Sequence, residues 1–142
     1  MPHRARLWQV PALVAVLRRS THARPVWSDL RVMARATRRG WVRVVRDRRG
    51  VAGFAIRDGA ALHALYVHPR AQGGGVGRAL LADAKQAAGC LDLWVVQYNR
   101  HARRFYIRAG FAEKARAPWG GGNDENLPDI LMVWPPERRA ET

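Results

Sequence analysis

The tightest constraint on this chain lies between Ala61 and Ala88. Ala61 to His68 is rich in β-formers and stops at Pro69, and Gln72-Gly73-Gly74-Gly75-Val76-Gly77-Arg78 comes next. Leu80, Leu81, Ala84 and Ala88 then recur at helical spacing. A strand, a glycine-rich turn and a helix in that order gather free backbone N–H groups at the positive end of the helix dipole. The pattern predicts a pyrophosphate cradle, with a merely flexible turn as the alternative. It is not a P-loop, because Gly77 is followed by Arg78 and no Gly-Lys-Ser/Thr ending exists. Nor is it a dinucleotide fingerprint, because Leu80 stands where the third small residue belongs.

The remaining patterns place this unit in a mixed α/β domain. Arg6 to Val10 reads as a short strand and Pro11 to Arg19 as a helix with Pro11 in its first turn. A second helix opens near Ser28, carries Leu30, Met33 and Ala34 on one stripe, and ends by Gly40. Trp41 to Val45 and Val51 to Ile56 form a hairpin around Asp47 to Gly50. Leu91 to Val96 is rich in Leu, Trp and Val, which predicts a strand buried on both faces. A helix from about Asn99 to Ala109 stops at Gly110, which suits a left-handed cap. Phe111 to Trp134 has strand-like ends around a glycine- and acid-rich loop, and residues 135–142 are expected to fray. With 142 residues and no internal repeat, the whole of 1–142 is read as one domain.

Composition narrows the function. No stretch approaches the roughly 18 to 20 unbroken apolar residues of a membrane-spanning helix. The apolar run Val10 to Leu17 behind Arg4 and Arg6 raises a targeting segment, but Pro11 and the helical spacing of Leu13, Val14 and Leu17 favour an amphipathic helix. The formal charge is +14, and residues 1–71 carry most of it. Such a field attracts polyanions, so a nucleic-acid-binding module is the rival from another class, although arginine-rich codon usage explains scattered arginines equally well. Base stacking would need aromatics interleaved on the basic face, and here most aromatics sit in strand patterns. The single Cys90 excludes an internal disulfide and suits a reducing cytoplasm, and no Cys/His spacing suggests a metal.

Two spaced blocks resemble the GNAT (GCN5-related) N-acetyltransferases. Gln72, Gly75 and Gly77 match that family's Gln/Arg-x-x-Gly-x-Gly/Ala loop, preceded by Leu65, Val67 and Pro69 of a Leu-x-Val-x-Pro strand. Downstream, Asn99, Ala102, Phe105-Tyr106 and Gly110-Phe111 match Asn-x-x-Ala-x-x-Phe-Tyr-x-x-x-Gly-Phe. The resemblance is sharp from Ala61 to Phe111 and thin before it. It implies a mixed central sheet with a splayed parallel strand pair, flanked by helices. It also implies acetyl-CoA as co-substrate, an amine acceptor, no metal and no membrane, and the family often forms homodimers.

By that resemblance, the backbone of Tyr66 and Val67 would pair with the pantetheine. The amides of Gly73, Gly74, Gly75, Val76, Gly77 and Arg78 would hold the pyrophosphate, and Asn99 would line the pantetheine. Tyr106 falls where the family places the acid that protonates the leaving thiolate, although an aromatic packed beside Phe105 is the plain alternative. Many members carry a glutamate base where Ala61 stands here. His63 instead matches a histidine of the arylalkylamine branch, and its ordinary pKa near ~6.5 suits a base at neutral pH. A half-buried, internally bonded histidine is the alternative, and His68 is expected at the loop edge. Asn123, Asp124, Glu125 and Asp129 form the densest acidic patch, with Glu125 and Asp129 as candidate partners of a cationic acceptor. The expected reaction is direct acetyl transfer in a ternary complex to a small primary amine. A protein N-terminus or lysine is the alternative acceptor, and the missing glutamate keeps open a CoA-binding sensor without turnover.

Overall fold

The computed structural model describes residues 2–6, 9, 26–117 and 129–138. The chain divides into two units, one holding residues up to Asp58 with Leu62–Ala87, the other Gly59–Ala61 with everything from Ala88 onward. The described strands form a mixed sheet that contains one parallel pair, joined where Ala61 meets Asp92. Helices join the strands, so the fold is mixed α/β.

The first unit contains β1 (His3–Arg4), α1 (Val26–Arg38), β2 (Val42–Asp47), β3 (Gly50–Asp58), nearly all of β4 (Ala61–Val67) and α2 (Val76–Ala88). β2 and β3 make the expected hairpin, with Val42 opposite Ile56 and Asp47 opposite Gly50. Its turn is fixed locally, because Asp47 Oδ1 accepts the Arg49 amide at 2.8 Å and Gly50 takes a positive φ of 116°. Met33 and Ala36 of α1 pack with Val42, Val44, Val51 and Phe54 in a continuous cluster. Burial of each of the larger side chains is worth about 1.5–3 kcal/mol, which holds the helix to the hairpin. Thr37 tolerates this interior because its hydroxyl donates to the Met33 carbonyl at 2.7 Å. Leu80, Leu81 and Ala84 of α2 are buried as the helical spacing predicts.

The first strand is not where the sequence suggests. Pairing falls on His3 and Arg4, opposite Val44 and Arg43, while Arg6 is irregular and Gln9 sits in a turn. Gln9 accounts for the shift, since its side chain accepts the Arg6 amide and its own amide donates to the Arg6 carbonyl, both at 2.9 Å. That local bonding replaces a ladder. The predicted helix from Pro11 to Arg19 lies outside the described residues.

The second unit holds β5 (Leu91–Val96), α3 (Arg100–Arg108), β6 (Ala112–Ala117) and β7 (Asp129–Trp134). β7 pairs antiparallel with both β5 and β6. Ala61 pairs with Asp92 in parallel, and the Asp92 amide reaches the Ala60 carbonyl at 2.7 Å. β5 is buried on one face only, with Leu91, Leu93 and Val95 inside and Trp94 48% exposed. The richness in Leu, Trp and Val misled because Asp92 and Trp94 alternate with Leu91, Leu93 and Val95, and period two outweighs composition. The Arg138 amide closes a turn on the Pro135 carbonyl, and its guanidinium pairs with Asp92. Gly110 has the left-handed backbone expected of it, φ 96°. Among the described residues, no helix is long and apolar enough to cross a membrane.

Candidate active site

The glycine loop belongs wholly to the first unit, and its support begins at β4. The His68 amide donates to the Ala52 carbonyl of β3 at 2.7 Å, which fixes the strand's end. His68 Nδ1 then accepts the Arg70 amide at 3.2 Å and so caps a 3-10 turn, Pro69–Ala71, at the loop edge as expected. Arg70 is held twice over, donating to the Val51 carbonyl at 3.1 Å and pairing with Asp47. The Arg49 amide and then Arg70 hold the Asp47 carboxyl below its ordinary pKa. Gln72 closes back on β4, its Nε2 donating to the Val67 carbonyl at 3.4 Å.

Beyond Gln72 the backbone turns open. Gly73 and Gly75 have φ of 84° and 89°, a region that costs L residues about 1–2 kcal/mol. Gly73, Gly74 and Gly75 are all exposed, and the space around Cβ positions at Gly73 and Gly75 is empty. Among the described residues, the amides of Gly73, Gly75, Val76, Gly77 and Arg78 meet no backbone acceptor, whereas Ala79 already bonds to Gly75 at 2.9 Å. The first turn of α2 holds no acidic residue and Arg78 is exposed there, so the helix supplies no counter-charge of its own to its positive end. Open amides, absent side chains and a basic residue fit a phosphate-bearing ligand such as CoA.

Gly53 was not singled out in the sequence, yet it sets the position of this cradle. A Cβ there would lie 2.7 Å from the Tyr66 carbonyl oxygen and 2.8 Å from Val76 Cγ1. Only a bare backbone lets β4 and the start of α2 come so near to β3. The one sequence signal is a glycine inside an otherwise apolar strand. On the far side of α2, Asp83 accepts two bonds from Arg43 at 3.0 Å each, tying the helix to β2.

His63 is exposed on β4, its ring 5.9 Å from that of Trp41, so it is not the buried histidine of the alternative reading. Arg39 lies over the same Trp41 ring, 5.0 Å from its centroid.

In the second unit, Asn99 caps α3, its Oδ1 accepting the Ala102 amide at 3.1 Å. That bond explains an Asn at the start of this helix, three residues before the amide it accepts. Arg103 is committed to Glu113 at 2.7 Å and to the Gln97 carbonyl at 3.0 Å. Tyr106 is 8% exposed and packs edge-on between Phe105 and Phe111, with centroids 5.1 and 5.3 Å away. Asp129 is buried at 1% at the start of β7, opposite Ala117 and Val96. Glu125, Asn123 and Asp124 lie outside the described residues. Cys90 is partly exposed and has no disulfide partner.

A strand that ends in a glycine turn of open amides, followed by an Asn-capped helix ending at Gly110-Phe111, agrees with the family comparison. The profile of the acetyltransferase (GNAT) domain matches residues 36–113, just over half the chain. The chain belongs to the GNAT acetyltransferase family. It is 36% identical over 84 residues to the peptidyl-lysine N-acetyltransferase YiaC of Escherichia coli K12, which covers 58% of this chain and 56% of YiaC. Matches to curated relatives span between 30% and 56% of those proteins' length. Among solved structures, the ribosomal-protein-S18-alanine N-acetyltransferase of Escherichia coli superposes with a TM-score of 0.75 at 26% identity, covering 100% of this chain and 97% of that one. YncA of Salmonella typhimurium, a putative acetyltransferase solved with acetyl-CoA, has the same fold, with a TM-score of 0.74 at 20% identity and 100% and 97% coverage.

Proposed function

We propose that this chain is an acetyl-CoA-dependent N-acetyltransferase acting by direct attack of an amine in a ternary complex. The observation that carries the proposal is the open cradle at the start of α2. Residues 1–142 are read as a single catalytic domain, supported by a family match that runs from residue 36 in the first unit to residue 113 in the second. Acetyl-CoA would supply an acyl group activated as a thioester.

The chain's own residues divide the remaining work. The amides of Gly73 to Arg78 hold the phosphates, and the backbone of Tyr66 and Val67 orients the pantetheine along β4; the family resemblance also assigns Asn99 to the pantetheine. The Val67 amide donates to the carbonyl oxygen as negative charge grows there. An N–C bond forms as the C–S bond breaks, so the amine must lose one proton and the sulfur must gain one. His63 takes the first. Four residues of strand separate it from Val67, about 13 Å at ~3.3 Å per residue, so that proton travels through water. Tyr106 gives the second from its hydroxyl.

The acidic patch expected to attract a small cation loses Asp129 to the interior of β7. A peptide amine is the second reading of the acceptor beside a small primary amine, supported by the lysine and ribosomal-protein specificities in the names of two relatives. Thermal unfolding with acetyl-CoA, dephospho-CoA, NADH and a short RNA at matched ionic strength tests the reading. At about 100 times its dissociation constant, acetyl-CoA should add about 2.7 kcal/mol. Stabilisation by RNA alone, or by every anion in proportion to its charge, would overturn it.

A further inference from the structure

A base works only when its ring points at the proton it takes, and His63 does little to orient itself. Its side chain is exposed on β4 and, among the described residues, the ring meets no hydrogen-bond partner. An unrestrained imidazole on a strand moves among about two χ1 wells and about two χ2 settings, so it holds any one orientation for roughly a quarter of the time. What the ring does meet is Trp41, with centroids 5.9 Å apart and planes inclined by 35°. That separation lies within the range in which aromatic rings attract each other.

Trp41, by contrast, is fixed from several directions. Gly40 ends α1 in left-handed backbone, φ 75°, and donates to the Thr37 carbonyl at 3.0 Å, while the Trp41 amide reaches back to the Ala36 carbonyl at 3.0 Å. These two bonds are the Schellman closure of a helix, which sets the path of the residue after the glycine. The Trp41 carbonyl then accepts the Arg57 amide of β3 at 2.9 Å. The indole packs against the buried cluster of α1 and the hairpin, and Arg39 lies over its ring. Arg39, Trp41 and His63 all belong to the first unit. A ring locked by its neighbours beside an unlocked one is the arrangement that preorganises a reacting group.

We propose that Trp41 is a positioning residue for His63, selecting the ring orientation in which His63 takes the acceptor's proton, with Arg39 seating the indole. This rests on the acetyltransferase reading with His63 as base.

The test is a double-mutant cycle on the full chain, reading thiol release from acetyl-CoA with two acceptors, a peptide carrying one lysine and butylamine. Trp41→Met keeps apolar bulk against the cluster but removes the indole. It should lower kcat about fourfold or more, as the oriented fraction of His63 falls, with KM for acetyl-CoA unchanged. Trp41→Phe, which restores a ring face, should recover most of the rate. In the H63Q background Trp41→Met should cost nothing further, because a positioning residue acts only through the group it holds. An equal loss in both backgrounds would make Trp41 a support of the fold alone, and no loss in either would remove it from the reaction; each result overturns the proposal while leaving the enzyme reading intact. A nuclear Overhauser contact between the His63 ring protons and the Trp41 indole should be present in the wild type, and its absence would overturn the proposal even should Trp41→Met fail to fold. The acetyl-CoA thermal shift on the same samples reports the fold and the cradle. A wild-type rate in H63Q, or no turnover of either amine, would sink the reading of His63 as base and the positioning role with it.

Discussion

α2 and α3 are helices of one chain that begin in opposite ways. Neither has an acid in its first turn, and both start with amides that no helical carbonyl can reach. At α3 the chain answers from within, as Asn99 Oδ1 takes the Ala102 amide and Tyr98 takes that of Arg100. At α2 three exposed glycines stand where a capping side chain would be, and the amides stay open. A capped start is complete and contributes stability. An uncapped one, held rigid by its neighbours, keeps its hydrogen-bonding capacity for a ligand.

The strongest break should come at the chemistry beside the capped helix. Tyr106→Phe should lower kcat by about 10²–10⁴-fold with an unchanged acetyl-CoA thermal shift, and an unchanged rate would return Tyr106 to packing alone. Gly75→Asp next converts the open start toward the capped kind, placing a carboxylate on the amides at a strained φ. It should erase the acetyl-CoA shift of about 2.7 kcal/mol, read by thermal unfolding. Gly53→Ala leaves the cradle's own residues intact but forces apart the strands and helix behind it. Denaturant titration should show a loss of about 1–3 kcal/mol, accompanied by weaker acetyl-CoA binding.

Asn99→Ala opens the capped start instead. It should cost about 1 kcal/mol in the same titration. The smallest effect belongs to Asp47→Asn, which loosens the pair behind the loop. Because the Asp47 carboxyl is held below its ordinary range, its contribution is present above about pH 4 and is lost as pH falls through the lower folded value. The stability gap between wild type and D47N should therefore close on acidification, and a gap that widens would contradict the pair.

How much of this was legible in the sequence depended on distance along the chain. The loop, β4, α2 and the helix from Asn99 to Gly110 are local patterns, written in glycine positions, helical spacing and a cap three residues from its amide. Arg70 with Asp47 and Arg43 with Asp83 are paired across 23 and 40 residues, and no periodicity announces such partners. Gly53 was visible as a glycine, but its meaning required the carbonyl of Tyr66 and the side chain of Val76 beside it. Asp129 looked like part of an acidic loop because charge suggests exposure. Its place in β7, opposite Val96, overrides that prior.

The double anchorage of Arg70 bears on time rather than on affinity. With the turn before the loop fixed to Val51 and Asp47, the chain entering the glycines has already lost its freedom before any ligand arrives. Association then has no slow ordering step, and stopped-flow traces with acetyl-CoA should show one phase whose rate rises linearly with concentration. Residence on the protein, not arrival, becomes the quantity that sequence changes around the loop can tune.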